Sequence, residues 1–462
     1  MVMIALSAFL ASAAFAPIGI WFYAVAGYAL FLRRVLKTSR PKWQAFAFGL
    51  IYNAIVLHWS GKYVGALPWL LLSLLQALFY IPVGVVAKRT NSIWWVIFTL
   101  LLMEELRAIF PFGGFGWTRI AFSQVESPAL AIVSYGGVLA LSGVTLIFAA
   151  LFSKIRFGNI VKFIVILLLL SFIPVNPQGS DSLKLLAVQG NTPSVGLDFN
   201  GRAKAVFNLH RDATYKFADE KYDAIIWPEN AIDIDPSTYP EVAVDISRLT
   251  IEKNSPLIAG VVLNENGAPA NASVMYSIGG KILSTYVKRG LTPFGEFMPL
   301  RKIAEFVSPY AASVVDFKAG VNLQVHEVAG SSLGPIICYE IINDHLVSQM
   351  SAQSSALLVQ TNSATFAGTA ESQQQLAITR IRAVENSRSV LSVSTVGISA
   401  FIDNNGQVVK ATNENVQSAL SGTVILNDQI TPANKWRSPL KIAVLGLFLL
   451  FALIEMRKRK NL

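Results

Sequence analysis

The sequence predicts a multi-pass α-helical membrane bundle joined to a large extracytoplasmic α/β domain. Three observations predict this class. Of the 462 residues, 53% are hydrophobic and only 14% are charged, which is too apolar for a soluble protein of this length. Apolar segments of about twenty residues recur before residue 176 and again near the end of the chain. The region between them instead alternates short strand and helix patterns.

The apolar segments are long enough to cross a bilayer. They lie near residues 2–16, 18–36, 43–60, 67–87, 92–110, 129–152, 159–175 and 438–456. The first has a rival interpretation as a signal peptide, because Ala14-Phe15-Ala16 resembles a cleavage site. No Lys or Arg precedes Leu6, however, so the basic region of a signal peptide is missing. We therefore expect this helix to be retained.

Basic residues are concentrated in alternate connections between these segments. They cluster after the second, fourth and sixth segments and at the end of the chain, whereas the other connections contain only Lys62, Arg107 and Arg119. By the positive-inside rule, both termini are expected to be cytoplasmic in a multi-pass cell-membrane protein. The predicted division is a membrane domain at 1–176, an outer catalytic domain at 177–437, and a final span with a basic tail at 438–462.

The outer domain is slightly acidic, although the whole chain has a formal net charge of +10. Residues 177–437 contain 20 basic and 24 acidic residues, and the rest of the chain contains 18 and 4. The positive charge thus belongs to the membrane part. A nucleic-acid partner is excluded, because the one large polar domain offers no basic surface.

The connection after the fifth segment is unusual in composition. Glu104 and Arg107 are three residues apart on one helical face, which favours an internal ion pair. The Gly-rich aromatic loop Phe110–Trp117 follows. It is either part of an ordinary interfacial aromatic belt or a re-entrant loop that shapes a lipid entrance.

The outer domain reads as an α/β domain with helices covering its sheets. Strands are predicted at 183–188, 224–227, 256–263, 273–277, 282–287, 333–338, 356–360, 390–394 and 399–403, and helices at 198–217, with Asp198 as a possible cap, and 369–388. Turns are expected at Asn264–Gly267, Gly279-Gly280 and Asn404–Gly406. The short sequence Asn271-Ala-Ser273 fits a glycosylation site, a pattern that is common by chance. The sequence contains no phosphate-binding glycine loop and no zinc-spaced Cys/His set, so no cofactor or metal is expected.

Cys338 is the only cysteine of the chain and cannot form an intrachain disulfide. A lone cysteine is either buried apolar filler or a chemical group. Here it ends a β-rich run and precedes Tyr339-Glu340, a position typical of strand-to-turn nucleophiles.

Two other strand ends supply the groups that a thiol nucleophile needs. Glu229 follows a buried strand and Pro228, where desolvation would raise its pKa and suit it to act as a base. Lys288 follows another strand and could stabilise an oxyanion. Taken singly, Glu229 is better explained as a surface cap and Lys288 as a solvated cation. Three such strand ends together predict a catalytic set of Glu229, Lys288 and Cys338.

The order Glu, Lys, Cys resembles the carbon–nitrogen hydrolase (nitrilase) superfamily. With membrane helices on both sides, the chain resembles the apolipoprotein N-acyltransferases within it. The matching stretches are Val188–Asn191, Trp227–Asn230, Lys288–Pro299, Cys338–Glu340, Thr361-Asn362 and Arg382–Glu385. Departures occur at Asn230, at Thr361–Ala367 and at Ser194–Phe199, and they concern substrate preference more than reaction class.

This resemblance implies an α-β-β-α sandwich and a ping-pong acyl transfer. Cys338 would take an acyl chain from a membrane phospholipid and pass it to the α-amine of a diacylglyceryl-cysteine apolipoprotein, the last step of lipoprotein maturation. The resemblance also implies supporting roles for Glu296, Tyr339 and Glu340 and a lipid contact for Trp117. A monomer in the lipid bilayer is expected.

Two other functions remain open at this point. One is a membrane-anchored amidase or nitrilase that acts on small amides, and the other is a non-enzymatic membrane scaffold. The membrane part favours the acyltransferase, because drawing a sixteen-carbon chain into water costs on the order of 10 kcal/mol. A soluble-substrate amidase would not need about eight spans.

Overall fold

The computed structural model describes residues 1–154, 156–174, 176–177, 179–195, 204–307, 311–312, 314–436 and 446. These residues form two compact units. The helical unit contains the described residues of 1–56, 72–175 and 430–462, and the α/β unit contains those of 57–71 and 176–429. Apart from residue 446, the predicted span at 438–456 lies outside the described residues, as does Asp198.

The first part of the chain is helical in the positions that the apolar pattern predicts. Its helices are α1 (Val2–Ala13), α2 (Phe22–Lys37), α3 (Pro41–Val56), α4 (Ala66–Leu78), α5 (Ile81–Thr90), α6 (Ile93–Arg107), α7 (Val133–Ser153) and α8 (Phe157–Ser171). Pro82 lies in the first turn of α5, where its missing N–H costs no helical hydrogen bond. Among the described residues, the stretches 66–90 and 130–153 have the length and apolar composition needed to cross a membrane.

The ion pair predicted at the end of α6 is present. Arg107 Nη2 lies 3.4 Å from Glu104 Oε1, and both side chains are buried in the helical unit. The guanidinium also donates to the hydroxyl and the carbonyl oxygen of Thr118, each at 2.6 Å, and Glu104 accepts from the backbone N–H of Ile120 at 2.7 Å. The pair therefore fixes the chain that follows the aromatic loop.

The α/β unit contains two six-stranded sheets. The first sheet has the order β12-β1-β2-β3-β4-β5, and the second has the order β11-β10-β9-β8-β7-β6. The strands are β1 (Ser182–Gln189), β2 (Ala224–Ile226), β3 (Leu257–Glu265), β4 (Ala268–Tyr276), β5 (Ile282–Val287), β6 (His326–Val328), β7 (Ser331–Ile337), β8 (Ala356–Thr361), β9 (Val390–Ser394), β10 (Ala400–Ile402), β11 (Val408–Ala411) and β12 (Ser418–Ile425). At the centre of each sheet three strands run parallel, β1-β2-β3 and β7-β8-β9.

The two sheets pack face to face over a dry core, which confirms the predicted sandwich. Leu185 and Ile226 of the first sheet and Leu358 and Val393 of the second belong to one buried cluster. Burial of each such side chain contributes about 1.5–3 kcal/mol relative to exposure. The helices of this unit are α9 (Ala205–Phe217), α10 (Pro240–Glu252), α11 (Arg301–Val307), α12 (Asp344–Ser351) and α13 (Glu371–Asn386).

Helices cover the outer faces of both sheets. On the first sheet, Phe207 of α9 and Ile246 of α10 pack in one cluster with Trp227. On the second sheet, α12 contacts β7 and α13 contacts β9. The sandwich thereby brings the carboxyl ends of parallel strands from two different sheets within reach of each other.

Candidate active site

The three predicted catalytic residues follow three strand ends of the α/β unit. Glu229 lies three residues after β2, Lys288 directly after β5, and Cys338 directly after β7. The first two strands belong to the first sheet and β7 belongs to the second. The carboxylate and the ammonium thus come from one layer of the sandwich and the thiol from the other.

Glu229, Asn271, Lys288 and Glu296 form a compact group that we call the charged cluster. Lys288 Nζ donates to Glu229 Oε1 at 3.1 Å and to Glu296 Oε1 at 2.9 Å. Asn271 Nδ2 donates to the same two oxygen atoms, at 2.6 and 3.0 Å. Lys288 is 1% exposed and Glu229 is 5% exposed. One ammonium therefore holds two buried carboxylates, and the amide of Asn271 bridges the same two groups.

The two carboxylates of the charged cluster differ in their surroundings. Glu296 accepts a further hydrogen bond from the backbone N–H of Thr292 at 2.8 Å, and together with Lys288 this lowers its pKa against the effect of burial. Burial raises the pKa of Glu229, and Lys288 only partly opposes the rise. Burial alone would lower the pKa of Lys288, but Glu229 and Glu296 outweigh it and raise the pKa. Glu229 is thus the carboxylate better suited to accept a proton.

Cys338 occupies a strained backbone position. Its φ is +49°, a left-handed conformation that costs a residue other than glycine on the order of 1–3 kcal/mol. β7 ends at Ile337, and a short 3₁₀ turn from Cys338 to Ile342 reverses the chain. As a whole residue, Cys338 is half-buried. Burial and the nearby carboxylate of Glu229 raise its pKa, so the resting group is a thiol and needs a base during attack.

Glu340 connects the cysteine turn to the strand end that carries Lys288. Its Oε2 accepts from the backbone N–H of Ile337 at 2.8 Å. Its Oε1 accepts from the Tyr286 hydroxyl at 2.8 Å and from the N–H groups of Arg289 and Gly290 at 2.8 and 2.9 Å. One fully buried carboxylate thus ties the two sheets together beside the reactive groups.

Helix α13 lies against Cys338. Gln375 Nε2 approaches Cys338 Sγ at 3.9 Å, a weak N–H···S contact. Glu371, one turn earlier, is 3% exposed. Its charge acts on the pKa of Cys338, so its carboxyl belongs to the same electrostatic environment. We call Cys338, Glu371 and Gln375 the cysteine wall.

A segment from the helical part of the sequence packs on α13 within the α/β unit. The third span was predicted at 43–60, but helix α3 ends at Val56, and residues 57–71 belong to the α/β unit. Trp59 Nε1 donates to Gln374 Oε1 at 3.1 Å, and its ring lies 4.9 Å from that of Phe366. This contact fixes α13 at Gln374, the residue directly before Gln375.

The remaining predicted site residues fall into two groups. Glu296 and Glu340 contact the catalytic strand ends directly, and Tyr339 follows Cys338 with a half-buried side chain. Trp117 belongs to the helical unit, where it is 3% exposed and its ring stacks 6.4 Å from Phe115. Its lipid contact stays a prediction.

Sequence reasoning missed Asn271, Glu371 and Gln375. Asn271 was considered only as a glycosylation site, but it is 1% exposed in β4 and its amide serves the charged cluster, so no glycan can reach it. The strand predicted at 273–277 begins after Asn271, whereas β4 begins at Ala268, so the burial of this amide could not be predicted.

Two protein families match the chain. The family described as apolipoprotein N-acyltransferase N-terminal domain matches residues 7–151. The family described as carbon-nitrogen hydrolase matches residues 185–429, more than half of the chain, and this match contains the charged cluster and the cysteine wall.

Relatives of similar length carry one name. A protein named apolipoprotein N-acyltransferase from Mycolicibacterium smegmatis is 30% identical, over 93% of this chain and 80% of that protein. One of the same name from Pseudomonas putida is 28% identical, over 97% of this chain and 95% of that protein. Among solved structures, an amidase from Nesterenkonia sp. is 16% identical with a TM-score of 0.42, covering 58% of this chain and 98% of that one.

Proposed function

Because the chain belongs to the carbon–nitrogen hydrolase family, and within it to the apolipoprotein N-acyltransferases, we propose that it acylates lipoproteins. The donor is a membrane phospholipid, and the acceptor is the N-terminal α-amine of a diacylglyceryl-cysteine apolipoprotein. The observation that carries the proposal is the strained thiol of Cys338 beside a buried carboxylate and ammonium that belong to the opposite sheet.

In the first half-reaction the Cys338 thiol attacks the ester carbonyl of the phospholipid. Glu229 takes the thiol proton while the S–C bond forms, and Lys288 stabilises the negative charge on the carbonyl oxygen. The tetrahedral intermediate then breaks its C–O bond. The proton on Glu229 passes to the departing alkoxide, which leaves as lysophospholipid, and the acyl chain remains on sulfur as a thioester.

In the second half-reaction the α-amine of the acceptor attacks the thioester carbonyl. The C–N bond forms, Lys288 again stabilises the oxyanion, and Glu229 accepts a proton from the nitrogen. The C–S bond then breaks, and the proton on Glu229 returns to sulfur. Glu296 supports both halves by keeping Lys288 charged and in place, since its own carboxylate holds the ammonium at 2.9 Å.

The same proposal includes an arrangement in the membrane. Residues 1–176 form a multi-pass membrane domain, residues 177–437 an outer catalytic domain, and 438–462 a final span, with both termini in the cytoplasm. Trp117 contacts lipid, and the protein acts as a monomer. What supports this arrangement is the alternation of basic and neutral connections together with the long apolar stretches at 66–90 and 130–153.

The proposal is tested by trapping the acyl-enzyme. Purified protein is incubated with a diacyl phospholipid in mixed micelles, and Cys338 is examined by mass spectrometry for an added acyl group. We expect a thioester that hydroxylamine removes, one lysophospholipid per thioester, and transfer of the chain to an added diacylglyceryl-cysteine peptide. Cys338→Ala should abolish the adduct.

Several outcomes would contradict this function. A wild-type protein that hydrolyses small amides but forms no thioester from phospholipid would instead be a membrane-anchored amidase. Normal lipoprotein acylation by Cys338→Ser would point to a scaffold. Normal acylation by Lys288→Ala would leave the reaction in place but remove Lys288 from the oxyanion role.

A further inference from the structure

Glu371 is a buried carboxyl that the two half-reactions above do not use. It lies in the first turn of α13 and is 3% exposed. Among the described residues no cation lies within ion-pair distance of its carboxylate, and its polar neighbours are the hydroxyls of Ser363 and Ser372, the latter at 3.5 Å from Oε2. A carboxylate buried without a cation is costly, which makes its position informative.

The position of Glu371 relates it to the sulfur. Residues four apart on a helix lie on one face, and Gln375, four residues on, has its amide 3.9 Å from Cys338 Sγ. The charge of Glu371 also influences the pKa of Cys338, and the charge of Glu229 influences that of Glu371. The carboxyl of Glu371 therefore belongs to the face of α13 that carries the contact with the sulfur.

The proposed acceptor brings a positive charge to this place. A free α-amine has a pKa of about 7.7–8.0, so at neutral pH most of it is ammonium and cannot attack a carbonyl. Within the charged cluster, the carboxylates of Glu229 and Glu296 are already paired with Lys288. A third carboxylate, without a cation of its own, is suited to bind the ammonium and remove the extra proton.

We propose that Glu371 is the acceptor-binding carboxylate, which pairs with the incoming α-ammonium and takes one proton from it before the amine attacks the thioester. This inference rests on the proposed function. The step is balanced: the ammonium and the carboxylate become a neutral amine and a carboxylic acid, and Glu229 remains the base for the second proton. The proton on Glu371 is released to water after the product leaves.

The charge environment of Glu371 suits this transfer. Burial, opposed by the two serine hydroxyls and assisted by Glu414 and Glu229, raises the pKa of Glu371 to about 7. That value is close to the pKa of the α-ammonium, so the proton moves with little change in free energy. A normal exposed glutamate would be too weak a base for this task at neutral pH.

The test compares Glu371→Gln with wild type after the thioester has been formed. Acyl transfer to a diacylglyceryl-cysteine peptide should fall about tenfold at pH 7, because only the roughly one-tenth of acceptor that is already neutral reacts, and should approach wild type near about pH 9. Formation of the thioester from phospholipid should not slow, because the substitution removes a negative charge that raises the pKa of Cys338. Glu327→Gln, the same substitution at an exposed position, is the matched control and should transfer normally.

Hydroxylamine separates proton removal from simple loss of structure. It is uncharged at neutral pH, so it should cleave the thioester of Glu371→Gln as fast as that of wild type. Slower cleavage by both nucleophiles would assign Glu371 to the shape of the site and overturn the proposal, as would unchanged peptide transfer at pH 7. If wild type forms no thioester at all, the proposed function itself fails, which is a distinct result.

Discussion

The charged cluster and the cysteine wall belong to the same candidate site but are built in opposite ways. In the charged cluster every charge has a partner within 3.1 Å, and the ammonium and both carboxylates are nearly inaccessible. In the cysteine wall the backbone is strained and the amide of Gln375 lies 3.9 Å from the sulfur. No cation of the described part of the chain pairs with the carboxyl of Glu371. The difference teaches that the fully paired charges come from the first sheet, whereas the strained thiol comes from the second.

The largest expected effect comes from breaking the charged cluster. Lys288→Met keeps most of the side-chain length but leaves two buried carboxylates without their cation, which should lower the free energy of unfolding by about 3–5 kcal/mol. Thermal unfolding in detergent measures this, and acyl-enzyme formation should be lost as well.

The matched control for that change is Lys318→Met. Lys318 pairs with Glu265 at 3.1 Å, but its side chain is 47% exposed. An exposed pair contributes at most about 1 kcal/mol. Equal destabilisation by the two substitutions would show that the charged cluster is not the fixed half of the site.

A smaller effect should follow from removing the charge of Glu371, and its sign depends on pH. The pKa of this carboxyl is raised to about 7 in the folded protein from an ordinary value near 4.3. Stability from Glu371 is therefore present at low pH and is lost as the pH rises towards 7. Between pH 5 and pH 8, the free energy of unfolding of wild type should therefore fall by roughly 2 kcal/mol relative to that of Glu371→Gln.

Thermal unfolding of both proteins at the two pH values checks this prediction. An equal difference at pH 5 and pH 8 would mean that Glu371 is ionised in the native state throughout. The cysteine wall would then be as well compensated as the charged cluster, and the contrast between them would disappear.

The smallest effect concerns the strain at Cys338. Glycine adopts a positive φ without an energetic penalty, whereas alanine pays the same penalty as cysteine. Cys338→Gly should therefore unfold with a free energy about 1 kcal/mol higher than Cys338→Ala. Since both variants lack the thiol, chemical denaturation isolates the backbone contribution. A less stable glycine variant would place the strain elsewhere in the turn.

Most of the sandwich could be predicted from the sequence, because its central strands are continuous apolar runs. The bounds of β5 and β9 agree with the predicted 282–287 and 390–394. The edge strand β12 was missed because Ser418–Ile425 is half-buried on both faces and contains Ser and Gly, which weakens the strand pattern. Helix α13 begins at Glu371, two residues after the predicted start.

The candidate site was less complete in the sequence than the fold. Glu229, Lys288 and Cys338 could be found because each follows a strand. Asn271 and Gln375 could not, since one lies inside a strand and the other inside a helix, and only tertiary packing decides which way such side chains point. That segment 57–71 belongs to the α/β unit could not be predicted either, because its apolar residues resemble those of a membrane span.

The carboxylate of Glu340 has a consequence for how the protein matures. Glu340 accepts hydrogen bonds from the backbone of both sheets, at Arg289 and at Ile337. The strained turn at Cys338 therefore forms only after the two sheets have packed together. In an incompletely assembled chain Cys338 would be an ordinary exposed cysteine, without the burial that raises the pKa of its thiol in the folded protein. The rate at which Cys338 reacts with a thiol-directed label therefore measures how far the two sheets have assembled.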